Sequence, residues 1–159
     1  MSQRAKDLAQ RLKAFNDEVI SFVKNCSDED WRKVCTWEDL TVGVTARHIG
    51  SGHFRVTGLA EMMINGEKLP DLTEEQVNES GNRHARKHAD CSREEVLEVL
   101  EKNGASLVDY VSGLDDAKLD TKGYIGLAGG DVTTQQFFEY VILQSGAQHL
   151  VNMKTAVKA

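Results

Sequence analysis

His48 and His149 stand about a hundred positions apart, in Thr41-Val42-Gly43-Val44-Thr45-Ala46-Arg47-His48-Ile49 and in Gln144-Ser145-Gly146-Ala147-Gln148-His149-Leu150. Both segments carry helical periodicity. Two imidazoles brought together by packed helices can share one divalent metal or grip one substrate. In a helical bundle such a metal is usually completed by a ligand one turn away on the same helix, and the position four residues before His149 is Ser145. A neutral serine hydroxyl is a weak donor to zinc or nickel. His48 and His149 alone therefore fall about one protein ligand short of a catalytic set of three, unless Ser145 or Gln148 contributes through water.

A second constellation is His84-Ala85-Arg86-Lys87-His88-Ala89-Asp90-Cys91, where His84 and His88 share a helical face and Cys91 follows three residues later. Imidazole and thiolate at that spacing can bind zinc. Arg83, Arg86 and Lys87 make the same stretch a basic face that repels a cation, which favours ordinary solvation. Cys91 precedes the Ser92 cap, where a helix N-terminus lowers a thiol pKa if the group is exposed; a half-buried, inert thiol is the simpler alternative. Phosphate loops, a nucleophile elbow and paired glycosidase carboxylates are not present in the sequence.

The elements that must position these residues read as helices. Leu8, Leu12, Phe15, Val19, Phe22 and Val23 form a stripe over about Gln3 to Lys24. Ser27-Asp28-Glu29-Asp30 has the form of a capping box and introduces a short turn with Trp31; Trp31 and Trp37 are read as core and hinge anchors. Thr41 caps a second helix to about Ile64, ended by Asn65-Gly66, with Thr45, Ile49, Gly52, Val56, Leu59 and Met63 inward. His48 and His53 then lie on either margin of that stripe, each about two-thirds of a right angle away. Thr73 opens a polar helix to about Lys87, expected on the surface, and Ser92-Arg93-Glu94-Glu95 opens a third long helix with Val96, Leu97, Leu100, Leu107, Val108 and Val111 buried.

Residues 112–131 read as the longest loop, and Thr133 caps a last helix whose inner face is Phe137, Phe138, Val141, Ile142, Ser145, His149, Asn152 and Met153. With no alternating strand pattern, the prediction is an all-α bundle, residues 1–159 forming one domain, with a short extra helix between its second and third long helices.

Composition bounds the function. The 159 residues carry 25 acidic and 19 basic side chains, a net charge of −6, which disfavours a nucleic-acid partner. The polar start predicts no export signal, no apolar run of about 18 residues predicts a membrane span, and Cys26, Cys35 and Cys91 read as free thiols of a cytoplasmic protein.

The order of elements, the Asp28-Glu29-Asp30-Trp31 turn, the Trp37 to Thr41-Val42 lead-in, His48 seven positions after Thr41, the Asn78 helix followed by Ser92-Arg93-Glu94-Glu95-Val96-Leu97, and the terminal Gln148-His149-Leu150 resemble the DinB-like superfamily. Its closest likeness there is the N-terminal domain of mycothiol-dependent maleylpyruvate isomerase. The resemblance implies an up-down-down-up four-helix bundle. It also implies a divalent metal held by one ligand from the second long helix and two, spaced i and i+4, from the last. His48 matches the first ligand and His149 the last, while Ser145 stands at the middle position.

By the same resemblance the expected activity is that of a thiol S-transferase, isomerase or hydrolase that uses zinc or nickel on a small molecule such as a low-molecular-weight thiol. The alternatives are a bundle that has lost its metal and binds a small polar ligand through His48, Ser145, Gln148, His53 and His149, and a structural homodimer.

Overall fold

Side-chain caps set the helix starts in the computed structural model, which describes residues 2–158. Ser2, Ser27, Thr41, Thr73, Ser92 and Thr133 each accept a hydrogen bond from the backbone N–H three residues on, satisfying a donor that the first turn leaves unpaired. The return bond that completes a capping box is made at Thr133, whose N–H donates to Gln136. The elements so opened are α1 (Gln3–Asn25), α2 (Asp28–Arg32), α3 (Val42–Ile64), α4 (Glu74–Lys87), α5 (Arg93–Ser112) and α7 (Thr134–Phe138). A π-helical segment (Glu139–Gln144) joins α7 to α8 (Ser145–Lys158), and α6 (Asp116–Leu119) is a single turn capped by Asp115.

Helix directions follow from which ends touch. Asn16 Nδ2 of α1 donates to the Leu100 carbonyl of α5, and Arg93 at the start of α5 bonds Asp28 just beyond the end of α1, so these two helices are antiparallel. Asn103 of α5 donates to the Gly50 carbonyl of α3 at 2.9 Å, while Arg47 faces Glu95, so α3 and α5 are parallel. Arg4 with Gln135, Arg11 with Glu139 and Glu18 with Lys154 run in step along α1 and the last helix, which are parallel too. The bundle is up-down-down-up, as the resemblance implied. Because α3 and α5 point the same way, the chain between them must return along the bundle, and α4 lies on that return.

Several expectations change. Residues 112–131 are not a plain loop: they hold α6 and part of a hairpin of β3 (Lys122–Ile125) and β4 (Gly130–Thr133), with Tyr124 opposite Asp131. A second, minimal hairpin pairs β1 (Val34–Cys35) with β2 (Leu40–Thr41). These strands of two to four residues are too short to show alternation in the sequence.

Trp31 is in the core and its indole N–H donates to the Cys91 carbonyl at 2.9 Å. Trp37, expected as an anchor, is 81% exposed. The buried face of α3 includes Ala46, Gly50, His53 and Ala60 in place of Gly52 and Leu59, because small residues admit the neighbouring helix; a Cβ on Gly50 would sit 2.8 Å from Val99. In the last helix Val141 and Ser145 are exposed, since the π turn inserts an extra residue and rotates the face that follows. Among the described residues no helix is long and apolar enough to cross a membrane.

Candidate functional site

His48 lies in the second turn of α3 and His149 in the second turn of α8, on helices that pack side by side. Their rings meet edge to face, with centroids 5.2 Å apart and planes at 89°. Behind His149 stands Glu38, in the turn between β1 and β2, where Asp39 takes the left-handed φ of 54° and the Glu38 and Asp39 N–H groups both donate to the Cys35 carbonyl. Glu38 Oε1 is 2.5 Å from His149 Nδ1 and accepts a second bond from Asn152 Nδ2 at 3.0 Å. Gln148 Nε2 in turn donates to Asn152 Oδ1. A carboxylate on Nδ1 fixes the proton there and leaves Nε2 of His149 for a ligand or a cation, the arrangement that orients metal-binding histidines.

Sequence reasoning missed Glu38. It sits in a connector with no periodicity to mark it, and only the turn places it over α8.

The two histidine constellations are one. His84, in the last turn of α4, has its ring centroid 5.7 Å from that of His48, and His88 lies 4.6 Å beyond His84. The result is a row: His149, His48, His84, His88. Ser51 Oγ is 3.3 Å from His84 Nε2, and Arg47 reaches the same hydroxyl. Glu95 lies 3.9 Å from His88 Nδ1, and Arg55 Nη2 approaches His48 Nδ1 at 3.4 Å. Cys91 is buried beside Trp31 rather than poised as a nucleophile, and burial pushes its thiol up to about 11.

Burial, then the charges of His149 and Arg55, push His48 down to about 4. Burial, then His48, His88 and two arginines, does the same to His84. Burial would raise Glu38, but the hydrogen bond and charge of His149, with Asn152 and His48, outweigh it and hold the carboxyl below its ordinary value. Near neutral pH, uncharged His48 and His84 therefore share the site with an ionised Glu38. Uncharged imidazole is the form that ligates metal.

Ser145, the first residue of α8, is exposed one turn before His149, and Gln148 borders the same end. A cavity of about 320 Å³ adjoins Asn152 and is lined by Val34, Trp37 and Thr155. His53 lies elsewhere: it is 1% exposed in the core, with Nε2 2.8 Å from Asn16 Oδ1. Among the described residues no three His, Cys, Asp or Glu side chains stand around a common point as metal ligands.

No protein-family model matches the sequence, and none of the curated proteins does. Among solved structures the chain is similar to YfiT from Bacillus subtilis, described as a probable metal-dependent hydrolase with an unusual four-helix bundle topology. The TM-score is 0.78 at 13% identity, over 99% of this chain and 89% of that one. At that identity the likeness establishes the four-helix bundle fold and leaves the chemistry to the residues.

Proposed function

We propose that the protein is a metal-dependent hydrolase of small molecules, in which His48 and His149 bind a divalent cation, zinc or nickel. The observation that carries this reading is the ring separation of 5.2 Å combined with the 2.5 Å bond that locks His149 Nδ1 onto Glu38. Two imidazoles ligating one ion at about 2.1 Å and a tetrahedral angle have ring centres about 5 Å apart, so the separation of this pair is compatible with a shared ion.

Each residue has a task that does not depend on the ion. Glu38 holds the proton on His149 Nδ1 and keeps the ring from rotating. Burial keeps His48 uncharged. Gln148 reaches the Glu38 side of the pair through its bond to Asn152, where a polar substrate group would be hydrogen-bonded, and the body of a small substrate would lie toward the cavity beside Asn152. A divalent ion supplies Lewis acidity and brings the pKa of a water, or of a low-molecular-weight thiol, toward neutrality. Thiol transfer or isomerisation is the narrower variant of the same chemistry, distinguished by whether turnover needs an added thiol.

The test is to equilibrate the purified protein with zinc, nickel and manganese, remove free ion and measure bound metal by elemental analysis. Near-stoichiometric zinc or nickel, lost in His48→Ala and His149→Ala, is expected. No binding of any of the three would leave the second reading, a pocket for a small polar ligand, which the Arg55 guanidinium beside His48 favours.

A further inference from the structure

In a chain whose net charge is −6, α3 carries Arg47 and Arg55 and no acidic residue before Glu61. The eight-residue step separates the two arginines by about 12 Å along the helix axis. Arg47, His48, Ser51 and Arg55 fall within an arc of about 100°, so all four project from one face of α3.

The crossing helix α4 lays His84 on that face. Its Nε2 is 3.3 Å from Ser51 Oγ, which Arg47 Nη1 also reaches, and its ring meets that of His48. Arg55 Nη2 approaches His48 Nδ1 at 3.4 Å. Each guanidinium is therefore one residue removed from His84, Arg47 through Ser51 and Arg55 through His48.

The positive charge on this face is incompletely neutralised. Arg4, Arg11, Arg83 and Arg93 each pair with a carboxylate at 2.7 to 3.2 Å. Arg47 has only Glu95 Oε1 at 3.9 Å, and its buried Nε has no hydrogen-bond partner. A buried charged donor without a partner is costly, so negative charge is welcome beside it. Among the described residues Arg55 has no carboxylate within 4 Å, and His48 engages one of its five N–H donors. Arg32 and Arg86 also lack a carboxylate, but of the three it is Arg55 that approaches an imidazole of the candidate site.

We propose that the substrate carries a carboxylate and that Arg55 binds it, so that the reacting bond lies beside His48 and His149. This rests on the reading of those histidines as the reactive pair, and it names the class of molecule they act on. The contacts run in order from Arg55 to His48, His149, Glu38 and Asn152, where the cavity begins. A substrate held at Arg55 by its anionic end thus has its other end toward that cavity, with the histidine pair between. The planar guanidinium fork matches two carboxylate oxygens, and the donors that His48 leaves free supply the bonds. A single guanidinium without a carboxylate partner suits one negative charge. Glu95, which faces both Arg47 and His88, and Glu38 behind His149 oppose the second charge of a phosphate.

The experiment reads Arg55 directly in metal-free protein. Arginine Nε–H signals are followed by nitrogen–proton correlation spectra during titration with sodium propionate, inorganic phosphate or sodium chloride at matched ionic strength. The Arg55 signal should shift saturably with propionate, while Arg11 and Arg83, already paired with Glu139 and Glu79, serve as controls that stay in place. In Arg55→Ala, followed through the His48 ring signals, propionate should bind about tenfold more weakly. Arg55→Lys keeps the charge but loses the fork, and should recover little of that. Arg55 is exposed, so both variants keep the fold, which the amide spectrum checks.

Three results overturn the assignment: a response to propionate no larger than to chloride, an Arg55→Lys protein that binds like the wild type, or phosphate held more tightly than propionate. Zinc bound through His48 when propionate fails leaves the metal reading intact. Propionate held by Arg55 in a protein that takes no metal keeps the carboxylate subsite and overturns the metal reading instead.

Discussion

His48 and His53 lie five residues apart on α3, and burial pushes both down to about 4, but their second nitrogens face different surroundings. His53 is 1% exposed: its Nε2–H donates to Asn16 Oδ1, while Asn16 donates on to the Leu100 carbonyl, tying α1, α3 and α5 together. Gly104 makes room for that amide, since a Cβ there would collide with Asn16 Nδ2. His48 instead adjoins two other imidazoles, an arginine and the open end of α8. A depressed histidine pKa therefore reports desolvation and does not by itself mark a site. The mark is a nitrogen that looks toward space a ligand can enter.

The sharpest way to break this contrast is to exchange the two deletions. His48→Ala should reduce zinc affinity by about a hundredfold or more while changing unfolding free energy by less than about 1 kcal/mol, because its ring is at the bundle margin. His53→Ala should do the reverse, costing about 3 kcal/mol by leaving a cavity and an unpaired Asn16 oxygen, with zinc affinity held. Denaturant titration and metal competition on the same preparations decide it. A His53→Ala protein that loses zinc without losing stability would erase the distinction.

The pH dependence of stability sharpens the core side of the comparison. His53 titrates at about 4 folded and about 6.5 unfolded, so the unfolded chain binds the extra proton first as pH falls. Its contribution is whole above about 6.5 and is lost progressively as pH falls toward 4, by about 3 kcal/mol at most. Comparing urea midpoints of the wild type and His53→Gln at pH 7.5 and 4.5 isolates that share from the other histidines. The variant should lose less stability over the interval, and equal losses would mean that His53 is already protonated in the fold.

Much of this arrangement was legible in the sequence and the reasons are local. Hydroxyl caps at Thr41, Thr73, Ser92 and Thr133, with the stripe from Leu8 to Val23, specify helices by short-range chemistry that no tertiary context overrides. The likeness to a known family supplied the helix directions, which periodicity cannot. Three things were not legible. The rotation of α8 after Gln144 depends on a π turn that leaves no composition signature. The pairing of Glu38 with His149 spans 111 positions and hangs on a four-residue turn. The merging of His84 with His48 depends on where the crossing helix α4 lies, which its polar sequence, lacking an apolar stripe, does not encode.

Glu38→Gln tests the outer side of the imidazole pair. An amide can still receive the His149 Nδ1 proton through its oxygen, so the ring stays oriented, but the negative charge that strengthens the opposite nitrogen is gone. Zinc should weaken by about tenfold, less than for loss of a ligand, with the fold retained. An unchanged affinity would mean that Glu38 is only a brace for the β1–β2 turn, and His149 would then owe its donor strength to nothing beyond its own ring.

Arg55→Ala should give the smallest change and the opposite sign. At 3.4 Å the guanidinium can only donate to His48 Nδ1, which puts the proton of the uncharged ring on Nε2 and directs its lone pair at Arg55. A cation that takes that lone pair must displace the guanidinium and lie near its charge. Removing the arginine removes both costs. A unit charge several ångströms from a dication in near-aqueous surroundings is worth about 1 kcal/mol, so zinc should bind about fivefold more tightly in the variant. Added salt should narrow the gap, because Arg55 is solvent-exposed and screened. Equal affinities would mean that the ion reaches His48 from the Nε2 side, with Arg55 left in place as a donor to Nδ1 and available to an anionic group of the substrate.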